Sequence, residues 1–243
     1  MDEIRLQKLE DLGEDLGDEL LRLRDRKGHS FSFPIADNLK LEKLKPGMLW
    51  LHGGYTGHGK SSLALNCALY WATRDGNRVT FISEIGLIRQ TREKLRKLGS
   101  FARALTIEEP SFLTEVGKEN TDYLVLDGLH LHTIYSQHYF AFEFKKKIER
   151  KNLSVFATTQ LSRQSYQRVR SNQAYNDWSS NQVYVNDFRS REMMTCDIAS
   201  ALWRDQNRFQ FQIVKDRQDI LPSSPPVMLT LNEKGKFELE IEK

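Results

Sequence analysis

The chain has 243 residues, room for one large domain or two small ones. Its 36 Lys and Arg exceed its 33 Asp and Glu by only three, so overall charge announces no polyphosphate partner, although local basic patches remain open. The two cysteines, Cys67 and Cys196, have neither C-x-x-C nor zinc spacing and read as buried thiols in a reducing compartment.

The N-terminus "MDEIRLQKLED" is too acidic and polar for a signal peptide. No apolar run approaches the roughly 20 residues that span a bilayer. The expectation is a cytoplasmic protein with no membrane partner, in a bacterial, phage-infected or organelle-like setting. Within residues 1–27, Leu9, Leu12, Leu16, Leu20 and Leu23 recur at intervals of three and four, which puts them on one helical face. Gly13 and Gly17 each cost such a helix about 1 kcal/mol relative to Ala, so it needs a surface to dock on. That surface belongs to its own domain or to a neighbouring subunit. Residues 28–45 read as a linker and 46–243 as the main domain.

From Pro46 the pattern alternates. "MLWLHG" reads as a strand, Gly59 to Thr73 as a helix, "RVTFIS" as a strand and "LIRQTREKLRKLG" as a helix ending at Gly99. "ARALTI" reads as a third strand, followed by a short helical piece from Ser111 to Lys118. "DYLVLD" reads as a strand, Gln137 to Lys151 as a helix and "LSVFATT" as a fifth strand. This repetition predicts an α/β fold, a mainly parallel sheet with helices on both faces. Residues 161–195 are polar and loop-rich, a length that is usually functional. "CDIASALWR", "RFQFQIVKDR", "PVMLTLN" and "KFELEIE" then read as strands joined by short turns.

Between the first strand and helix lies "GGYTGHGKSS", which contains G-x-x-x-x-G-K-S from Gly54 to Ser61. Glycines let a backbone wrap a phosphate, and loop N–H groups and the helix N-terminus bind its oxygens. The candidate nucleotide contacts are Gly54, Thr56, Gly57, His58, Gly59, Lys60, Ser61 and Ser62. Lys60 is suited to the β- and γ-phosphates of ATP or another NTP, and the Ser61 hydroxyl to Mg²⁺. Asp127, ending "YLVLD" beside the loop strand, is placed to hold the same Mg²⁺ through water. A lone strand-end Asp is more often a turn residue, and the loop in the same sheet changes that balance.

Glu84, after "VTFIS", can take a proton from an attacking water, or else serve as a helix N-terminal carboxylate. Gln160, ending the fifth strand, can donate to a γ-phosphate while leading into the polar segment. Lys215 and Arg217 in "QIVKDRQD" are either surface charges or cations reaching a neighbour's phosphate. "KKKIERK" (145–151) reads as a solvated helix face. Arg163, Arg168, Arg170, Arg189 and Arg191, interleaved with Tyr and Phe, suit single-stranded nucleic acid, with a plain polar loop as the alternative.

In this order the motifs resemble the RecA-like motor domain of the DnaB family of hexameric replicative helicases, over about residues 46–232. "GGYTGHGKSS" resembles that family's P-loop (Walker A), "FISEI" its F-S-L-E-M and "YLVLDGLHL" its Walker B strand. "TTQLSR" resembles S-Q-L-N-R, "VNDFRS" with "CDIA" the D-L-R-x-S segment and following A-D pair, and "KDR" the K-x-R. Gly128 stands where the family usually has Tyr, and no glycine follows the K-x-R in "KDRQD". The resemblance implies a catalytic role for Glu84, γ-phosphate sensing by Gln160, and Lys215 and Arg217 acting across a subunit interface. It also implies a ring homo-oligomer, in this family a hexamer, that translocates on single-stranded DNA and unwinds duplex. Helix 1–27 then matches the linker helix that docks on the next subunit, and a separate primase or loader is an expected partner. The alternatives are a RecA- or KaiC-like ATPase that binds DNA or a partner without unwinding, and a non-enzymatic adaptor that binds nucleotide to assemble.

Overall fold

The computed structural model describes residues 46–74, 77–83, 87–97, 105–108, 121–129, 137–165, 167, 183–188, 190–205, 208–217, 227–233 and 235–240. The expected helix at 1–27, the linker at 28–45 and the short helix at 111–118 lie outside them. Nine strands form one sheet: β1 Leu49–Gly54, β2 Val79–Ile82, β3 Leu105–Glu108, β4 Tyr123–Leu126, β5 Ser154–Gln160, β6 Ile198–Asp205, β7 Arg208–Asp216, β8 Val227–Leu231 and β9 Phe237–Leu239. Their spatial order is β3-β2-β4-β5-β1-β6-β7-β8-β9. Strands β3 through β6 run parallel, and β7 to β9 continue antiparallel. The mainly parallel α/β sheet with antiparallel C-terminal strands is the architecture expected from the sequence.

Helices cover both faces because both faces of the central strands are apolar. Along β1, Leu49 and Leu51 join one apolar cluster and Trp50 the other. Along β4, Leu124 and Leu126 pack on one side, Tyr123 and Val125 on the other. Helix α1, Lys60–Arg74, is apolar around most of its girth and buried from Leu63 to Leu69; Trp71 stacks on Tyr123 with ring centroids 5.0 Å apart. Helix α2, Ile88–Lys97, buries only Thr91 and Leu95 and turns its basic residues outward. Helix α3, Gln137–Arg150, packs Phe144 and Ile148 into the second cluster. The polar stretch after β5 contains a 3₁₀ turn, Val185–Asp187, and a short helix α4, Ser190–Thr195.

The helix carrying "KKKIERK" differs from the solvated face expected of it. Lys145 is inward: its Nζ donates to Asp197 Oδ2 at 2.5 Å and to Gly47 O at 2.7 Å, and lies 3.3 Å from Glu149. Asp197 Oδ2 also accepts the Leu49 N–H at 2.7 Å. A long aliphatic stem lets lysine reach such a site from a helix rim. Both cysteines are free and buried, as expected, and burial pushes the Cys196 thiol up to about 11.

Candidate nucleotide site at the sheet edge

Strand β1 ends in Gly54, and the loop 55–59 turns sharply into α1. The His58 N–H donates to Tyr55 O at 3.1 Å to close the turn, and the Leu63 N–H to Gly59 O at 2.9 Å to start the helix. Gly57 and Gly59 hold φ of +78° and +87°, the left-handed region that side chains disfavour, so the loop needs glycine there. Thr56 and Gly57 are exposed at the tip, while His58, Lys60, Ser61 and Ser62 are half-buried at its base. Lys60 Nζ donates to Tyr55 O at 2.9 Å, folded over its own loop.

Asp127 follows β4 and is 3% exposed. The sequence reading put its strand beside the loop strand. The structure inserts β5 between them. The two groups nevertheless meet, because α1 crosses back over the sheet: Ser61 Oγ donates to Asp127 Oδ1 at 3.0 Å. Thr158, on the intervening β5, donates to the same oxygen at 2.8 Å and accepts the Gly128 N–H at 2.8 Å. No ion pair to Asp127 occurs among the described residues, so hydroxyls alone surround this carboxylate. That donor set, a serine hydroxyl and a carboxylate beside a lysine and a glycine-rich turn, fits a hydrated divalent cation with a phosphate. Gly128 has φ +82°, which explains on backbone grounds why no tyrosine stands there.

Gln160, at the tip of β5, is level with Gly54, and its Nε2 donates to Thr56 Oγ1 at 3.1 Å. The Asp127 N–H donates to Ile82 O at 2.9 Å, which brings the end of β2 to the same edge. Ser83 there is buried and hydrogen-bonded to Thr91 Oγ1 at 2.9 Å. Glu84, the next residue, lies outside the described residues, as do Arg168, Arg170 and Arg189. Of Arg191 only the backbone, in α4, is described. Arg163 is exposed just beyond β5.

Lys215 and Arg217 stand elsewhere. Lys215 pairs with Ala199, which pairs with Leu51. It is therefore three residues behind Gly54, about 10 Å at the usual strand rise. Its Nζ donates to Met193 O and, at 3.1 Å, to Cys196 O, past the end of α4. Burial, with Arg217 adding, lowers the Lys215 ammonium from its ordinary value. Arg217 is exposed, with one guanidinium nitrogen on Met194 O and its own N–H on Asp197 O at 2.9 Å. The pair thus occupies the edge of the sheet opposite its own loop.

Several partners escaped the sequence reading. Thr158 carried one visible signal, a hydroxyl pair in an otherwise apolar strand "SVFATTQ". His58, a loop filler by sequence, has its Nδ1 accept the Arg204 N–H at 2.8 Å, pinning the loop to the end of β6. Burial, then Lys60, then Arg204 lower its pKa to about 4, which keeps that nitrogen an acceptor near neutrality. His52, buried on β1 between the rings of Phe156 and Phe211, is lowered to about 3 by burial and Lys60. It hydrogen-bonds Ser200 Oγ at 2.8 Å.

Among the described residues no helix is long and apolar enough to cross a membrane. No family model and no curated sequence matches the chain. Solved structures do. The ATPase domain of a DnaB-like helicase matches with a TM-score of 0.68 at 19% identity, over 95% of this chain and 99% of that one. A second structure, a DnaB-like replicative helicase solved with its interactions with primase, matches with a TM-score of 0.61 at 19% identity. That match covers 82% of this chain and 58% of the helicase. The chain therefore has the RecA-like fold of DnaB-type ATPase domains.

Proposed function

We propose that the chain is an NTP hydrolase, with ATP the first candidate, that works as a ring-forming motor on single-stranded DNA and unwinds duplex. The observation that carries the hydrolase reading is the buried Asp127, bonded to Ser61 Oγ at 3.0 Å and to Thr158, at the edge that carries Lys60. Lys60 and the loop N–H groups would hold the phosphates, and Ser61 and Asp127 a Mg²⁺ ion, which when bound offsets charge on the transferring phosphoryl group. Glu84 is assigned as the base toward water, and Gln160 as the γ-phosphate sensor that already touches the loop through Thr56.

Lys215 and Arg217 are assigned to a neighbouring copy's site. What supports this is their place at the edge opposite their own loop, where they cannot serve it. The DNA and unwinding parts rest on the resemblance of motifs and on the polar, arginine-bearing stretch after β5, with Arg163, Arg168, Arg170, Arg189 and Arg191 as phosphate contacts. The primase seen with the DnaB-like neighbour supports a primase or loader as a partner here. Helix 1–27 is assigned to docking between subunits, and a cytoplasmic setting goes with these roles.

ATP turnover measured with and without single-stranded DNA, beside particle mass in the same buffer, tests the whole reading. Turnover should rise with DNA in a species heavier than one chain. Glu84→Gln should bind nucleotide and not turn over. Arg217→Ala chains mixed with Lys60→Ala chains should regain activity through mixed interfaces. A fully active monomer would remove the shared site, and turnover indifferent to DNA would leave only an ATPase.

A further inference from the structure

The polar segment after β5 is anchored on the phosphate loop at both of its ends. At its start, the Leu161 N–H donates to Gly54 O at 3.2 Å. The Ser162 N–H donates to Asp187 O at 2.9 Å and so ties the outgoing stem to the returning one. Both stems touch the backbone at Gly53, just before the loop: a Cβ there would lie 2.6 Å from Leu161 Cδ2 and 2.5 Å from Phe188 Cε1. Tyr55, inside the loop, is 4% exposed and shares an apolar cluster with Leu161, Val183 and Phe188. Its hydroxyl is hydrogen-bonded to Ser165 Oγ, which is also buried.

Two hydroxyls buried together cost little while bonded to each other, and leave an unsatisfied group when separated. The pair therefore fixes one register between loop and stem. Tyr55 lies between Gly54 and Thr56, so any loop adjustment around a phosphate moves its backbone. A close-packed ring passes such a displacement on, because the interior has no free volume to absorb it. We infer that Tyr55 and Ser165 are positioning residues that couple the phosphate loop to the polar segment, along a route separate from the Gln160–Thr56 contact. This rests on reading the loop as a nucleotide site and, for its DNA consequence, on reading the polar segment as facing DNA.

Hydrogen exchange of the full-length chain tests it, with and without a non-hydrolysable ATP analogue and Mg²⁺, in wild type, Tyr55→Phe, Ser165→Ala and the double variant. Nucleotide should slow exchange at 161–165 and 183–188 in wild type. Either single variant should lose most of that response while still binding the analogue, and the double variant should lose no more. Ser165→Ala should keep basal ATP turnover while its stimulation by single-stranded DNA falls by about 3- to 30-fold. A purely structural contact would lower the melting temperature and leave the nucleotide response intact, and that result overturns the inference. A wild type that binds nucleotide without any response in the stems overturns it too, while the hydrolase reading stands. Stems that respond to nucleotide in a protein indifferent to DNA sustain the coupling and sink the DNA reading.

Discussion

Two aspartates lie at opposite edges of the same sheet, and both are buried. Asp197, just before β6, is held by Lys145 at 2.5 Å and by the Leu49 N–H at 2.7 Å. Asp127, just after β4, is held by the hydroxyls of Ser61 and Thr158. Each edge also has its lysine, and the two are used differently: Lys145 is committed to a carboxylate, whereas Lys60 rests on a loop carbonyl. The first edge is a closed ion pair that fixes the start of β1. The second keeps its carboxylate and its ammonium apart, each on a neutral partner that a cation or a phosphate can replace. Separation of charge, rather than burial or residue type, marks the functional edge.

The sharpest way to break this comparison is to remove a charge from each edge. Lys60→Ala should lower ATP turnover by about 100- to 1000-fold while the melting temperature stays near wild type, because a donor to developing charge is lost and no ion pair is broken. A variant that keeps its turnover would take Lys60 out of the site. Asp197→Asn should do the reverse. It leaves Lys145 without its buried partner and should destabilise the fold by about 3 kcal/mol in urea titrations. Equal stability of Asp197→Asn and wild type would mean that this edge is not a closed pair.

Between the edges, β1 passes through an interior that excludes charge. The folded-state pKa of His52 is about 3, below its ordinary 6.5, so the unfolded chain takes up its proton first. The stability it contributes is complete above pH 6.5 and is lost as pH falls toward 3, by about 1.4 kcal/mol per pH unit inside that window. Urea midpoints between pH 6 and 5 should show that slope, and His52→Leu should flatten it. A slope unchanged by the substitution would assign the acid sensitivity elsewhere. The smallest effect is expected at Thr158→Val, which removes one hydroxyl from Asp127 and one acceptor from the Gly128 N–H. It should cost about 1 kcal/mol, read in the same titrations, and no loss at all would mean that Ser61 alone orients the carboxylate.

Much of the functional edge was legible before the fold was known. Lys60 and Ser61 sit in a spacing that only a strand, a tight turn and a helix satisfy, and Asp127 closes an apolar run whose length marks a buried strand. These are local patterns. Strand order is not local, and so the interposition of β5 between β1 and β4 was invisible, and with it the contact of Thr158 on Asp127. Lys145 was misread for a related reason: three lysines in a row look solvated until Asp197, 52 residues on, is brought beneath one of them. The fillers of the loop were silent because their partners lie far along the chain. Thr56 meets Gln160 across 104 residues, Tyr55 meets Ser165 across 110, and His58 meets Arg204 across 146. Polar side chains inside a short loop with no local partner are where distant contacts are to be sought.

The central claim, that the separated charges at the loop edge receive a metal-bound nucleotide, is tested most directly by a Mg²⁺ titration of ATP turnover in wild type and Asp127→Asn. Wild-type turnover should rise with Mg²⁺ and saturate. Asp127→Asn should fall by about 100-fold or more and be as stable as wild type, since no ion pair is lost. Turnover in Asp127→Asn that follows the wild-type curve would contradict the account.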